Sequence, residues 1–318
     1  MATLRVPDDV PTPRVDCERL RRAFQGFGTD ENAIIKVLGR RNASQRKKIR
    51  ETYQQLYNKS LIEDLQSELS GDFRNAVISW TYDPSERDAR LANGVLKSRG
   101  KGVKELQILV EIACASSPHH LMAVRQAYAS LFDHSLEEDI TLNVPMPLQK
   151  ILVNLVRSYR YDKELVDSDV ANSEAARLYE VIKTKKLDED DFILILSTRN
   201  VFQLKETFRF YEKNYGNPID EDIVKCGKGT LESVLKVLIW CINSPEKHFA
   251  EVIRASIVGF GTDEDALTRA ILARAEIDMM KVREEYLKQN KSSLDSAVIG
   301  DTSGDYKDFL MTLLGANA

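Results

Sequence analysis

An all-α protein made of four similar units of about 75 residues is predicted by three features of this sequence. The first is a glycine loop, FQGFGTDE at residues 24–31, written again as IVGFGTDE at residues 257–264. The second is a helix ending in tyrosine, followed after eight residues by an aliphatic residue and acids. It occurs four times, as IRETYQQLYNKSLIEDL, VRQAYASLFDHSLEEDI, RFYEKNYGNPIDEDI and VREEYLKQNKSSLDSAV. The third is that no strand alternation of useful length occurs, in a chain that is 43% hydrophobic and 30% charged with only 9 Pro and 15 Gly. That balance belongs to a folded, helix-rich protein.

The repeats set a common frame. The anchoring tyrosines Tyr53, Tyr128, Tyr211 and Tyr286 are 75, 83 and 75 residues apart, and the loop positions Gly26, Gly100, Thr184 and Gly259 are 74, 84 and 75 apart. Arg41, Arg199 and Arg274 each lie 15 residues after the loop position, whereas the second unit has serines there and one extra residue. Within a unit, Ile49, Tyr53, Leu56 and Tyr57 share one helical face. Thr29 or Asp30, and likewise Thr262 or Asp263, suit a helix N-cap, with acids in the first turn where the helix dipole favours them. Pro84, Pro118, Pro218 and Pro245 punctuate the connections. Loops of about 2 to 8 residues leave room for about five helices per unit. The expected division is an extended, proline-containing arm at 1–15 and units at 16–86, 87–166, 167–245 and 246–318. A period near 75 exceeds that of TPR, ankyrin, HEAT or armadillo repeats, so the units are expected to be compact helical bundles packed on one another.

Charge and composition exclude several classes. The net charge is −4, with 45 basic and 49 acidic residues interspersed, which is no footprint for nucleic acid. An anionic partner would need a bridging cation. The start, MATLRVPDDVPTPR, has no apolar core of a signal peptide, and the greasiest stretch, VLKVLIWCI, is short and contains Lys236. Neither export by that route nor a membrane span is expected. The four cysteines Cys17, Cys114, Cys226 and Cys241 form no CxxC pair, and a reducing cytosol is the default compartment.

Glycine lets the backbone turn through positive φ and present carbonyl oxygens inward, as a hard cation such as Ca²⁺ requires. Carbonyls alone compensate the charge poorly, so a carboxylate should arrive from elsewhere in the unit. Forty residues after Gly28 lies Glu68, in SELSGDF; forty after Gly261 lies Asp301, in GDTSGDY. A loop that only ended one helix and capped the next would not need that acid. In the second unit Val103 and Lys104 replace Thr-Asp, and near the acid position stand Leu142 and Asn143. The third unit reads TKKLDED and has Cys226 where the acid belongs. Loop and acid decay together, as a ligand pair predicts.

On these residues the chain resembles the annexin family, and plant annexins in particular, across essentially its whole length. Segments such as DPSERDARLAN, RSYRYDKE and SPEKHFAEVIR strengthen the resemblance. It implies four five-helix repeats in a curved disc, with calcium loops on the convex face and calcium-dependent binding to anionic phospholipid membranes by a cytoplasmic protein that becomes peripheral on membranes when calcium rises. It assigns calcium to the carbonyls of Phe24, Gly26 and Gly28 with the Glu68 carboxylate, and to Ile257, Gly259 and Gly261 with Asp301. Secondary calcium positions would use Thr29 with Glu31 and Thr262 with Glu264. Phe27 and Phe260 at the loop tips are candidates for membrane insertion, and Lys185 matches a position for calcium-independent contact with headgroups.

Rival readings come from the same resemblance. Plant annexins are linked with nucleotide hydrolysis and peroxidase-like activity, but the DTSG at 301–304 is a weak DxxG whose aspartate is already assigned to calcium, and GKGT at 227–230 lacks the upstream glycine of a P-loop. Relatives proposed to bind haem have histidine where this chain has Arg40. His119 and His120 read as surface residues at a helix start, and His134 and His248 lack spaced metal-binding partners. Cys114 and Cys241 match cysteines suggested to form a redox cluster. The expectation is therefore a non-enzyme, with a redox-active or calcium-conducting membrane protein as the alternative, and actin or further copies of the chain as additional partners.

Overall fold

The computed structural model describes residues 1–259 and 261–316, and among these there are twenty α-helices and no strand. The first five are α1 (Pro13–Ala23), α2 (Glu31–Leu38), α3 (Ala43–Tyr57), α4 (Leu61–Glu68) and α5 (Gly71–Thr81). The second five are α6 (Pro84–Lys97), α7 (Val103–Cys114), α8 (Pro118–Phe132), α9 (Leu136–Asn143) and α10 (Leu148–Arg157). The third five are α11 (Ser168–Thr184), α12 (Asp190–Thr198), α13 (Val201–Tyr215), α14 (Ile219–Cys226) and α15 (Thr230–Asn243). The last are α16 (Pro245–Ile257), α17 (Glu264–Arg274), α18 (Met279–Asn290), α19 (Leu294–Asp301) and α20 (Gly304–Leu313).

The sequence signals account for where these helices begin. Pro13, Pro84, Pro118 and Pro245 each open a helix, where a missing N–H costs nothing. Thr12 caps α1, and residues 1–12 form no regular element. The N-terminal segment is tied down at Thr3, whose N–H donates to the Ala275 carbonyl at 3.0 Å and whose hydroxyl donates to Leu313 O at 2.8 Å. Of the two cap candidates in each glycine loop, the aspartate does the capping: Asp30 accepts from Ala33 N at 2.9 Å and Asp263 from Ala266 N at 3.0 Å. The preceding threonines are thereby free to bond elsewhere.

The recurring tyrosine has a physical cause. In three repeats it is buried and donates its hydroxyl to an aspartate eleven residues on: Tyr53 to Asp64 at 2.6 Å, Tyr128 to Asp139 at 2.5 Å and Tyr211 to Asp222 at 3.1 Å. Burial and the neighbouring carboxylate push all three phenols above their usual range. In the fourth repeat Ala297 stands at the aspartate position, and Tyr286 lies near Arg254 and Asp301 instead. The recurring arginine is a second tie: Arg41 grips Asp16 through two bonds of 2.7 and 2.8 Å, and Arg199 binds Glu174 at 2.7 Å. Ile49 and Tyr53 are buried as the periodicity of α3 predicts, but Leu56 remains 36% exposed.

The helices pack into two compact units. One comprises residues 1–87 and 249–318, so the first and last repeats share a core. There α2 and α5 pack on α20, and α5 packs on α17. The other comprises residues 88–248, where α7 packs on α15 and α10 on α12, joining the middle repeats around one hydrophobic cluster.

Candidate functional site

Between α1 and α2 the chain turns through Gly26 at φ +121° and Gly28 at φ +92°; between α16 and α17 it turns through Gly259 at +142° and Gly261 at +91°. A Cβ at any of these four would meet nothing within 4 Å. Glycine is therefore required by the dihedral, since L-residues enter that region only at a cost. Each loop is closed by the same bond, Asp30 N to Ala23 O at 2.9 Å and Asp263 N to Ser256 O at 2.7 Å. The outcome is six backbone oxygens, those of Phe24, Gly26, Gly28, Ile257, Gly259 and Gly261, that accept no hydrogen bond among the described residues.

The two distant acids sit beside these loops. Glu68 is the last residue of α4 and Asp301 the last of α19, and both are exposed. The Thr29 hydroxyl lies 3.2 Å from Glu68 Oε2 and 3.3 Å from its carbonyl, while the Thr262 hydroxyl donates to Asp301 O at 3.2 Å. Each threonine thus fastens its loop to the end of the helix that carries the acid. A donor set of carbonyls and one carboxylate is all oxygen, which suits Ca²⁺ and offers nothing to a thiophilic or imidazole-preferring metal.

A cleft of about 340 Å³ in the same unit is lined by six carboxylates, Glu31, Glu68, Asp72, Glu264, Asp301 and Asp305. The expected secondary positions, Glu31 and Glu264, thus face the same cleft as the primary acids. Asp72 and Asp305 were missed by sequence reasoning, although each follows a predicted ligand acid by four residues within a shared SGD.

The middle repeats differ. At the spacing that sets Gly100 and Gly102 against Gly26 and Gly28, all three corresponding carbonyls are taken. Ser98 O accepts from Lys101 Nζ at 2.6 Å, Gly100 O from Ser98 Oγ at 2.7 Å, and Gly102 O from Leu106 N at 3.0 Å. Neither glycine has positive φ. The helix register selects Asn143 as the counterpart of Glu68, because it ends α9 as Glu68 ends α4, and Asn143 Nδ2 donates to Asp139 O at 2.7 Å. In the third repeat Ile182 O accepts from Lys185 N at 3.0 Å and from the Cys226 thiol at 3.4 Å, and Lys186 O accepts from Glu189 N at 3.0 Å.

The remaining predicted residues are placed as follows. Phe27 is fully exposed at the tip of its loop; Phe260 lies outside the described residues. Lys185 is exposed at the C-cap of α11, in the left-handed region at φ +58°. Cys114 and Cys241 are buried at 5% and 2% exposure. Burial pushes the Cys114 thiol upward, offset only in part by the Arg160 guanidinium. In the GKGT segment, the Gly229 N–H at the start of α15 is taken by the chain's own Glu232 carboxylate at 3.0 Å.

Comparison with known proteins identifies the family. The annexin family model matches residues 15–80, 93–155, 173–238 and 248–313. The chain is similar to Annexin D3 of Arabidopsis thaliana, with 58% identity over 99% of each chain, and to Annexin A13 of Homo sapiens, with 36% identity over 94% of each. Among solved structures, annexin III superposes with a TM-score of 0.92 at 32% identity over 99% of this chain and 97% of that one. Calcium-bound annexin (Sm)1 superposes with a TM-score of 0.87 at 27% identity over 99% and 93%. Four matched repeats, full-length relatives and superposable structures show that this chain belongs to the annexin family.

Proposed function

We propose that this protein binds anionic phospholipid membranes when calcium rises, through the loops of the first and fourth repeats. Calcium-dependent phospholipid binding in general follows from annexin membership; the assignment to particular loops and residues is our reading. The observation that carries it is the set of six carbonyls, three per loop, that accept no hydrogen bond among the described residues, each set beside one terminal carboxylate. Phe24, Gly26 and Gly28 with Glu68 would hold one ion, and Ile257, Gly259 and Gly261 with Asp301 another.

Calcium takes six to eight oxygens, and three carbonyls with one bidentate carboxylate supply about five. Water or a lipid phosphate completes the shell. With one carboxylate per site, affinity in solution falls toward ~10⁻⁴ to 10⁻³ M, and phosphate oxygens on the ion raise it by linkage, so that calcium and lipid each strengthen the other. The six carboxylates of the shared cleft concentrate cations at the same end of the unit. Phe27, fully exposed beside the ion, is placed to enter the interfacial layer, where aromatic rings are favoured. No helix among the described residues is long and apolar enough to cross a membrane, and attachment in this reading is peripheral.

Enzymatic readings gain no support from the geometry. A carboxylate already occupies the N–H that a phosphate would need at GKGT, and the two candidate redox cysteines are buried with, at Cys114, a thiol held in its protonated form.

The test is Glu68→Gln combined with Asp301→Asn. Calcium-dependent sedimentation with phosphatidylserine vesicles is expected to disappear at calcium concentrations that saturate the parent, with the calcium midpoint raised more than about 30-fold, while helicity measured by circular dichroism stays the same. Unchanged sedimentation would refute the site assignment.

A further inference from the structure

A cavity of about 220 Å³ lies within the unit of residues 88–248, where the end of α7, the start of α8, the segment after α10 and the start of α13 meet. Its lining is mostly apolar, with Pro118, Leu121, Val201 and Phe202 among it, and Arg160 is its one basic residue. Ser117 caps α8 and Val201 is the first residue of α13, so two helices begin at the wall of this cavity and present their positive ends there.

Arg160 is 6% exposed, and among the described residues no carboxylate pairs with it. The carbonyls of Leu196 and Arg199, around the end of α12, accept from its two terminal nitrogens at 2.6 Å each. They orient the fork but carry no formal charge, and a guanidinium has five N–H donors to place. Burial pulls the group down from its usual value, and only the neighbouring Cys114 thiol opposes that. The arginines buried as deeply in the first repeat are compensated: Arg41 is held by two bonds to Asp16, and Arg46 reaches Glu276 at 2.9 Å. Where this junction reads RYD at 160–162, the first repeat reads TYD at 81–83, and the buried Thr81 closes its hydroxyl on Val77 O at 2.7 Å. A charge thus stands where the other repeat has a neutral residue satisfied by its own helix. The one acid of the lining, Asp162, is drawn off by His119 at 3.1 Å. A buried charge without a counter-ion is costly, and an arriving anion relieves that cost.

We propose that this cavity is a binding site for a small organic acid, with the ligand carboxylate on the Arg160 guanidinium and its apolar body against Leu121, Val201 and Phe202. The planar guanidinium fork matches a carboxylate, and the bond between them is charge-assisted. The volume falls below the ~300–1,000 Å³ of sites for drug-sized molecules, which limits the ligand to a single ring or a short chain. The mainly apolar wall favours a body of that kind over a bare inorganic anion. The site needs no calcium, and no bond is made or broken in it.

The experiment is calorimetric titration of the full chain in excess chelator, so that the calcium sites play no part. The probes are benzoate and phenylacetate, their neutral isosteres benzamide and phenylacetamide, and inorganic phosphate. Both acids are expected to bind, with each amide weaker by about tenfold or more because it lacks the charge, and phosphate weaker than either acid. Arg160→Gln should remove the preference for acid over amide. Val201→Phe, which adds bulk to the wall and keeps the arginine, should weaken acids and amides alike. Thermal melting followed by circular dichroism reports whether each variant folds; if Arg160→Gln does not, the acid–amide comparison and Val201→Phe decide the matter. A crystal soaked in benzoate should place the carboxylate about 2.7–2.9 Å from the guanidinium nitrogens. No binding of either acid, equal binding of acid and amide, phosphate binding as tightly as the acids, or acid binding unchanged in a folded Arg160→Gln chain or in Val201→Phe would overturn the proposal.

Discussion

The first repeat reads GFGTDE from Gly26 and the second reads GKGVKE from Gly100, yet the two segments spend their backbone oxygens differently. In the first, Asp30 caps α2, the helix starts at Glu31, and Gly28 stays outside it with its carbonyl unclaimed. In the second, Val103 and Lys104 cannot cap a helix. Gly102 becomes the N-cap, its N–H donating to the Glu105 carboxylate, and α7 begins at Val103. Relative to the glycines, that helix starts two residues earlier and draws the Gly102 carbonyl into its first hydrogen bond. Two glycines alone therefore do not leave the loop carbonyls open. What decides is where the next helix begins, and the capping aspartate sets that boundary.

If this is right, the acid is the strongest single determinant, and it works only where carbonyls are free. Removing it with Glu68→Gln/Asp301→Asn should have the largest effect of any change at the loops. Supplying it to the second repeat with Asn143→Glu should confer no calcium response, because the loop oxygens there are already bonded. Isothermal titration of the two variants makes the comparison.

The next effect in size should come from the backbone. Gly28→Ala and Gly261→Ala force a side chain into φ near +90°, a cost of about 1–2 kcal/mol. They are expected to raise the calcium midpoint about 10-fold. Gly100→Ala, at a position without positive φ and with open space for a Cβ, should leave vesicle binding unchanged. A similar response from all three would mean that the glycines matter for something other than their dihedrals.

The smallest effect should be the most diagnostic. Asp30→Ala removes a cap worth about 0.5–2 kcal/mol and no proposed ligand. It is expected to weaken calcium binding several-fold, by freeing the start of α2 to move toward Gly28. Asp30→Asn or Asp30→Ser, which also cap, should restore most of it. If all three variants lose calcium response equally, the charge of Asp30 matters and the capping account is wrong.

Much of this was legible in the sequence because repetition exposes it. The tyrosine and loop spacings gave the five-helix frame, and the Tyr–Asp bonds of three repeats explain why a polar aromatic recurs at a buried position. The acids Glu68 and Asp301 could be found by counting forty residues from a glycine, since equal chain lengths through the same helices end at the same place. Lys101 was not legible, because a lysine bonded to a carbonyl three residues back reads like any solvated lysine. The extra residue of the second repeat left Leu142 and Asn143 undecided, and only the end of α9 identifies Asn143. Sequence likewise left Thr29 and Asp30 open as caps; the fold gives the cap to Asp30 and the tie to Glu68 to Thr29.

The most direct test is a crystal structure grown in abundant calcium. Density for an ion is expected within about 2.3–2.6 Å of the carbonyls of Phe24, Gly26 and Gly28 with Glu68, and of those of Ile257, Gly259 and Gly261 with Asp301, with none in the Ser98–Gly102 turn, where Lys101 keeps its bond to Ser98. Ions in the second-repeat loop, or both glycine turns empty with Glu68 and Asp301 directed elsewhere, would contradict the account.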